Sequence, residues 1–166
     1  MSNTTTQQVN IIFGAPGSGK SKLVRNLVKE HGAYSLSYND TIVPDFCNFE
    51  QLSELYEFIS GKPLTDETAA YIRGGDENRT AATPEETVLV QFCYEICSII
   101  NMDEPFHTII FDGVPSTFDD NIIRNIISLI SYLKEQEITV YFVTSKENRK
   151  KMFEEIFGEE LGQILT

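Results

Sequence analysis

The run Gly14-Ala15-Pro16-Gly17-Ser18-Gly19-Lys20-Ser21 fits the pattern G-x-x-x-x-G-K-[ST], and the chemistry of that pattern is phosphate binding. Glycines let the backbone curl so that successive N–H groups point at phosphate oxygens. A helix starting near Gly19 adds the positive end of its dipole. Lys20 is then the cation for β- and γ-phosphates, and Ser21 offers a hydroxyl to Mg²⁺. A second candidate is Asp112, which closes the apolar run Ile109-Ile110-Phe111. An acid at the carboxyl end of a strand near such a loop holds Mg²⁺ directly or through water. The alternative for Asp112 is a turn or helix-capping aspartate, because Gly113 follows it.

These residues need elements to hold them. Val9 to Phe13 is short and β-branched and runs into Gly14, which predicts a buried strand ending in the glycine loop. Leu23, Val24, Leu27 and Val28 stand at helical spacing between Lys20 and His31, and Gly32 marks the stop. Residues 33–38 alternate like a second strand. A helix is expected over 50–59, broken at Gly61-Lys62-Pro63, and a short one begins near Thr65. Residues 74–82 read as a polar loop. Thr83-Pro84-Glu85-Glu86 combines an N-cap, proline at the first helical position and an acidic first turn, so a helix through Ile100 should follow. Strands are predicted over 108–111 and 138–143, with amphipathic helices over 119–134 and 146–157. No fifth strand is evident after the last helix. Alternating strands and helices predict an α/β domain with a mostly parallel sheet of four or five strands, covered on both faces. Residues 1–8 form a polar tail and 9–166 a single domain.

Composition narrows the function. The chain has 166 residues, with 13 Lys plus Arg against 25 Asp plus Glu, a net charge of −12. A long basic track for nucleic acid is therefore not expected. No apolar run approaches the roughly 18 residues of a membrane span, and the N-terminus lacks the basic start of a secretory signal. A cytoplasmic location is therefore expected. Cys47, Cys93 and Cys97 are too few for a disulfide framework and read as buried thiols. The acidic surface serves solubility and is the candidate face for a basic protein partner.

The stretch 14–42, GAPGSGKSKLVRNLVKEHGAYSLSYNDTI, resembles the N-terminal part of the adenylate kinase family. Phe111-Asp112-Gly113-Val114-Pro115 is similar to that family's D-G-F-P element, and Thr83-Pro84-Glu85-Glu86 to the start of the helix before it. The likeness covers about residues 9–157, with gaps. It implies a three-layer P-loop NTPase fold, ATP and Mg²⁺ as cofactors, and phosphoryl transfer to a nucleoside monophosphate. It places that acceptor near Ser37, Asp40 and Gly113 and the region 50–79.

The pattern also departs from the family. Ser116 stands where the family has an arginine, none follows Asp40, and Arg149, Lys150 and Lys151 are all that occupy the position of its arginine-bearing lid. Arg149 is therefore the expected catalytic cation beside Lys20 and Asp112, although the trio also reads as a solvent-facing charged stripe. Between Asn39 and Asp120 there are three cations, Lys62, Arg73 and Arg79, against seventeen acids. Phosphoryl transfer depends on cations that neutralise spreading negative charge. A degenerate kinase-like module that binds nucleotide or a protein partner is thus the alternative. A second resemblance points to ATP-binding-cassette ATPases: residues 112–119 have the spacing of their aspartate-to-aspartate loop. Gly113 replaces the glutamate that polarises water there.

Overall fold

The computed structural model describes residues 7–36, 49–63, 65–66, 84–100 and 106–166. Ser37, Asp40, Cys47, Arg73, Arg79 and the loop expected over 74–82 lie outside the described residues. The chain divides into two compact units, one of residues 1–37, 106–116 and 126–166, the other of 38–105 and 117–125.

The first unit is built on five strands, β1 (Val9–Phe13), β2 (Tyr34–Ser35), β3 (Thr108–Phe111), β4 (Thr139–Thr144) and β5 (Leu161–Leu165). They form one sheet in the order β2-β3-β4-β1-β5, and every pairing is parallel. The consecutive apolar residues Ile11-Ile12, Ile109-Ile110 and Val140-Tyr141-Phe142 are all buried, as a sheet covered on both faces requires.

Successive strand residues point to opposite faces, and the helices follow that alternation. Helix α1 (Lys20–His31) packs Val24 and Leu27 against Ile12, Ile110, Tyr141 and Val143. Val140 and Phe142 face the other way. There the Phe142 ring meets Phe111 at 6.3 Å and Phe153 at 4.6 Å. Phe153 belongs to α5 (Glu147–Phe157). Helices thus cover opposite faces of the sheet, compatible with a three-layer α/β fold. Burying each such Val, Leu or Phe contributes roughly 1.5–3 kcal/mol.

Two expectations change here. Of the strand expected over 33–38, residues 37 and 38 lie outside the described residues, and among 33–36 only Tyr34 and Ser35 pair, with Ile109 and Ile110. A fifth strand does exist. Leu161–Leu165 joins β1 in parallel register from Val9↔Leu161 to Phe13↔Leu165. At Gly162 any Cβ would strike the Asn10 side chain, so the edge strand approaches closely only because glycine stands there.

The second unit holds α2 (Phe49–Ser60) and α3 (Pro84–Ile100), with the first turns of α4 (Asp120–Glu135). Leu52, Tyr56, Ile59, Leu89, Phe92 and Ile96 are its buried apolar residues. Phe92 meets Phe118 edge to face at 6.0 Å, and Asn125 Nδ2 donates to the Ile59 carbonyl at 3.0 Å. Cys93 and Cys97 are buried on one face of α3, as their spacing predicts.

Candidate phosphate-binding site

The Gly14–Ser21 loop leaves the carboxyl end of β1 and feeds directly into α1. Gly17 and Gly19 take φ values of 82° and 104°, a region in which a side chain would be strained, so the glycines of the pattern are required by the turn itself. The Ser18 amide donates to the Ala15 carbonyl at 3.1 Å and closes the curl. Gly14 is needed for a different reason. A Cβ there would collide with Ser18 and Thr166.

Lys20 folds back over the loop: its Nζ donates to the carbonyls of Gly14 at 2.6 Å and Ala15 at 2.7 Å. The ammonium is therefore held over the loop rather than extended into solvent. Ser21, exposed on the first turn of α1, is free to offer its hydroxyl. A cavity of about 390 Å³ opens beside the loop, lined by Pro16, Gly17, Lys20, Ser21, Lys22 and Arg25 among others. Among the described residues its lining carries three cations and no carboxylate, a local reversal of the chain's charge of −12.

Asp112 follows β3 directly and is partly buried. Burial pushes its carboxyl above the usual carboxylate range, and the nearby Lys20 ammonium opposes that shift. The two charged groups of the pattern thus act on one another across the carboxyl end of the sheet. Asp112 is not a helix cap. That role belongs to Asp119, whose Oδ1 accepts from the Ile122 amide at 2.9 Å at the start of α4.

The loop after Asp112 is held in place by Arg149. Gly113 adopts φ 75°, and Val114 is buried. Arg149 Nη1 donates to the Val114 carbonyl at 3.1 Å and Nη2 to the Pro115 carbonyl at 2.9 Å. Arg149 is only 4 % exposed, so it is neither part of a solvent-facing stripe nor a mobile cation. It stands on the buried face of α5 with Met152 and Phe153, and its guanidinium positions the loop. Lys150 bridges to Glu154 at 3.2 Å and lies over the Phe13 ring, while Lys151 is exposed. Ser116 is exposed as well.

Mg²⁺ bound to a nucleotide needs one or two protein oxygens, the rest coming from phosphates and water. Ser21 and Asp112 supply that donor chemistry. No cluster of three or more His, Cys, Asp or Glu suited to a metal occurs among the described residues. None of their helices is long and apolar enough to cross a membrane.

In the second unit a cavity of about 570 Å³ falls in the region expected to hold a nucleotide acceptor. Tyr56, Leu89, Phe118 and Ile122 give it apolar walls. Among the described residues Lys62 is the one cation of its lining, against the carboxylates of Glu86 and Asp119.

Two residues of the candidate site escape a reading of the sequence alone. Lys22 and Arg25 line its cavity, and the spacing from Ser21 to Arg25, four positions along a helix, is the signal that could have found them. No family model matches the chain, and no curated protein matches it in sequence.

Proposed function

We propose that this chain is a P-loop domain that binds Mg–ATP at the Gly14–Ser21 loop and supports phosphoryl chemistry on it. The observation that carries the reading is Lys20, folded onto the Gly14 and Ala15 carbonyls beside a cavity whose charged lining residues, among those described, are all cations. In that reading the loop amides and Lys20 hold the β- and γ-phosphates, and Ser21 and Asp112 hold the metal. Mg²⁺ would neutralise charge on the transferring group, and the chain's own residues would orient it, with no covalent intermediate.

Two acceptors compete. Transfer to a nucleoside monophosphate is the reaction implied by the adenylate kinase resemblance, with Ser37 and Asp40 as its acceptor residues. The second reading is an ATP-hydrolysing or nucleotide-responsive module, closer to the ATP-binding-cassette resemblance. Two observations favour the second. Arg149 is committed to the Val114 and Pro115 carbonyls. Among the described residues, the cavity in the acceptor region is lined by one lysine against two carboxylates, a poor match for a monophosphate. Gly113 supplies no base for water, so hydrolysis by this chain alone is expected to be slow.

Calorimetry with Mg–ATP on wild type and Lys20→Ala tests the common part: binding should be measurable and should weaken in the variant. Absence of heat and of thermal shift at millimolar Mg–ATP rejects it. Phosphate release measured with and without each nucleoside monophosphate then separates the readings. Stimulation by one monophosphate supports a kinase, and slow release indifferent to all of them supports the module.

A further inference from the structure

We infer that Arg25 contacts the nucleoside end of the nucleotide and Lys22 its α-phosphate, so that the site selects a nucleoside polyphosphate over a bare polyphosphate chain. The inference rests on the Mg–ATP reading above and extends it to the part of the ligand that the loop itself does not hold.

The loop amides and Lys20 account for only one end of a nucleotide, because Lys20 is drawn onto the Gly14 and Ala15 carbonyls. What lies beyond must leave through the mouth of the cavity. Lys22 and Arg25 line that same cavity and are both exposed. An α-helix rises about 1.5 Å per residue, so Arg25 stands roughly 6 Å farther along α1 than Ser21 and on the same face. That step is comparable to the distance from a β-phosphate to the sugar. Among the described residues neither Lys22 nor Arg25 takes part in an ion pair, so neither charge is already spent.

The side-chain chemistry divides the work. Lys22 follows Ser21 directly and is a compact point charge, which suits a single phosphate. Arg25 carries a planar guanidinium that stacks on an aromatic face, which suits a base. A tripolyphosphate offers the first contact and not the second.

The test is calorimetric titration of the full chain with Mg–ATP and with Mg–tripolyphosphate, for wild type, Arg25→Ala, Arg25→Lys, Lys22→Ala and Lys29→Ala. Lys29 lies in the last turn of α1, outside the cavity lining, and controls for charge alone. Arg25→Ala should weaken ATP about 2- to 5-fold, the range of an exposed cation–π contact, and leave tripolyphosphate unchanged. Arg25→Lys should recover only part of the loss. Lys22→Ala should weaken both ligands, and Lys29→Ala neither. Equal loss of ATP and tripolyphosphate in Arg25→Ala reduces Arg25 to a general charge and overturns the inference, as does no loss at all. If wild type binds neither ligand, the Mg–ATP reading itself fails, a result distinct from both.

Discussion

Arg149 Nη2 donates to the carbonyl of Pro115 at 2.9 Å while Nη1 of the same guanidinium reaches Val114 at 3.1 Å. A cation from the last long helix thus fixes the two residues that carry the chain away from Gly113 and Asp112. Hydrogen bonds to a charged donor contribute about 1.5–3 kcal/mol each, and a buried carbonyl left without a donor costs a similar amount.

Arg149→Ala is therefore expected to lower stability by about 2–4 kcal/mol and the melting temperature by on the order of 10 °C. Arg149→Lys, which cannot reach both carbonyls in the same planar fork, should recover part of this. Thermal melting of both variants checks it. A variant that melts like wild type yet loses turnover would instead assign Arg149 to the transferring phosphate.

For Asp112 the pH dependence has a definite sign. Burial raises its carboxyl in the folded chain above its unfolded value, with Lys20 opposing. The folded state then binds the proton more tightly, so the fold loses stability as pH rises from the unfolded pKa through the raised folded one. Asp112→Asn should abolish that loss and melt slightly higher than wild type at neutral pH without ligand. Its affinity for Mg–ATP should fall, while affinity for ATP in chelator should change little. Wild-type Mg²⁺-dependent binding should also weaken on acidification at a pH above the ordinary carboxylate range. A neutral-pH melt of Asp112→Asn well below wild type contradicts this reading.

Much of this arrangement was legible beforehand, and the exceptions share a cause. Val9–Phe13, the glycine loop and α1 follow one another in the chain, so local pattern alone identifies them. The isoleucines of α4 repeat at helical spacing and declare their buried face: Ile123, Ile126, Ile127 and Ile130 are almost wholly covered. Strand β5 was missed because Leu161-Gly162-Gln163-Ile164-Leu165 is short and interrupted by a glycine, and only pairing with the distant β1 makes it a strand. The solvent-facing stripe that Lys150 and Lys151 suggest does not extend to Arg149, which is buried. Its spacing to Met152 and Phe153 marks the buried face, but what it binds there lies 34 and 35 residues away.

Gly14 and Gly113 should respond differently to alanine. At Gly14 the obstacle is space, since a Cβ would overlap Ser18 and Thr166. At Gly113 nothing lies within 4 Å of a Cβ, and the obstacle is φ 75°. Gly113→Ala should cost about 1–3 kcal/mol of backbone strain and leave nucleotide affinity close to wild type. Gly14→Ala should displace the loop and cost affinity by more than tenfold, whatever its effect on melting. Calorimetry and thermal melting on the two variants separate space from strain. Equal effects on affinity would mean that the Gly14 contacts do not shape the loop.

A pair of hydroxyls ties β5 to the Gly14–Ser21 loop. Ser18 Oγ and Thr166 Oγ1 lie 2.6 Å apart, and the Thr166 amide donates to the Phe13 carbonyl at 2.9 Å. Backbone pairing therefore delivers Thr166 to the loop, and its hydroxyl holds the one serine inside the curl between Gly17 and Gly19. A neutral hydrogen bond at an exposed site contributes about 0.5–1.5 kcal/mol, enough to order a loop without locking it. Thr166→Val keeps shape and the backbone bond but removes the hydroxyl. It should weaken Mg–ATP about 2- to 10-fold through a less ordered loop, with melting within about 2 °C of wild type. Ser18→Ala should match it, and the double variant should lose no more than either single one, because both remove the same bond. Additive losses in that cycle would show that the two hydroxyls act separately and that β5 does not order the loop through Ser18.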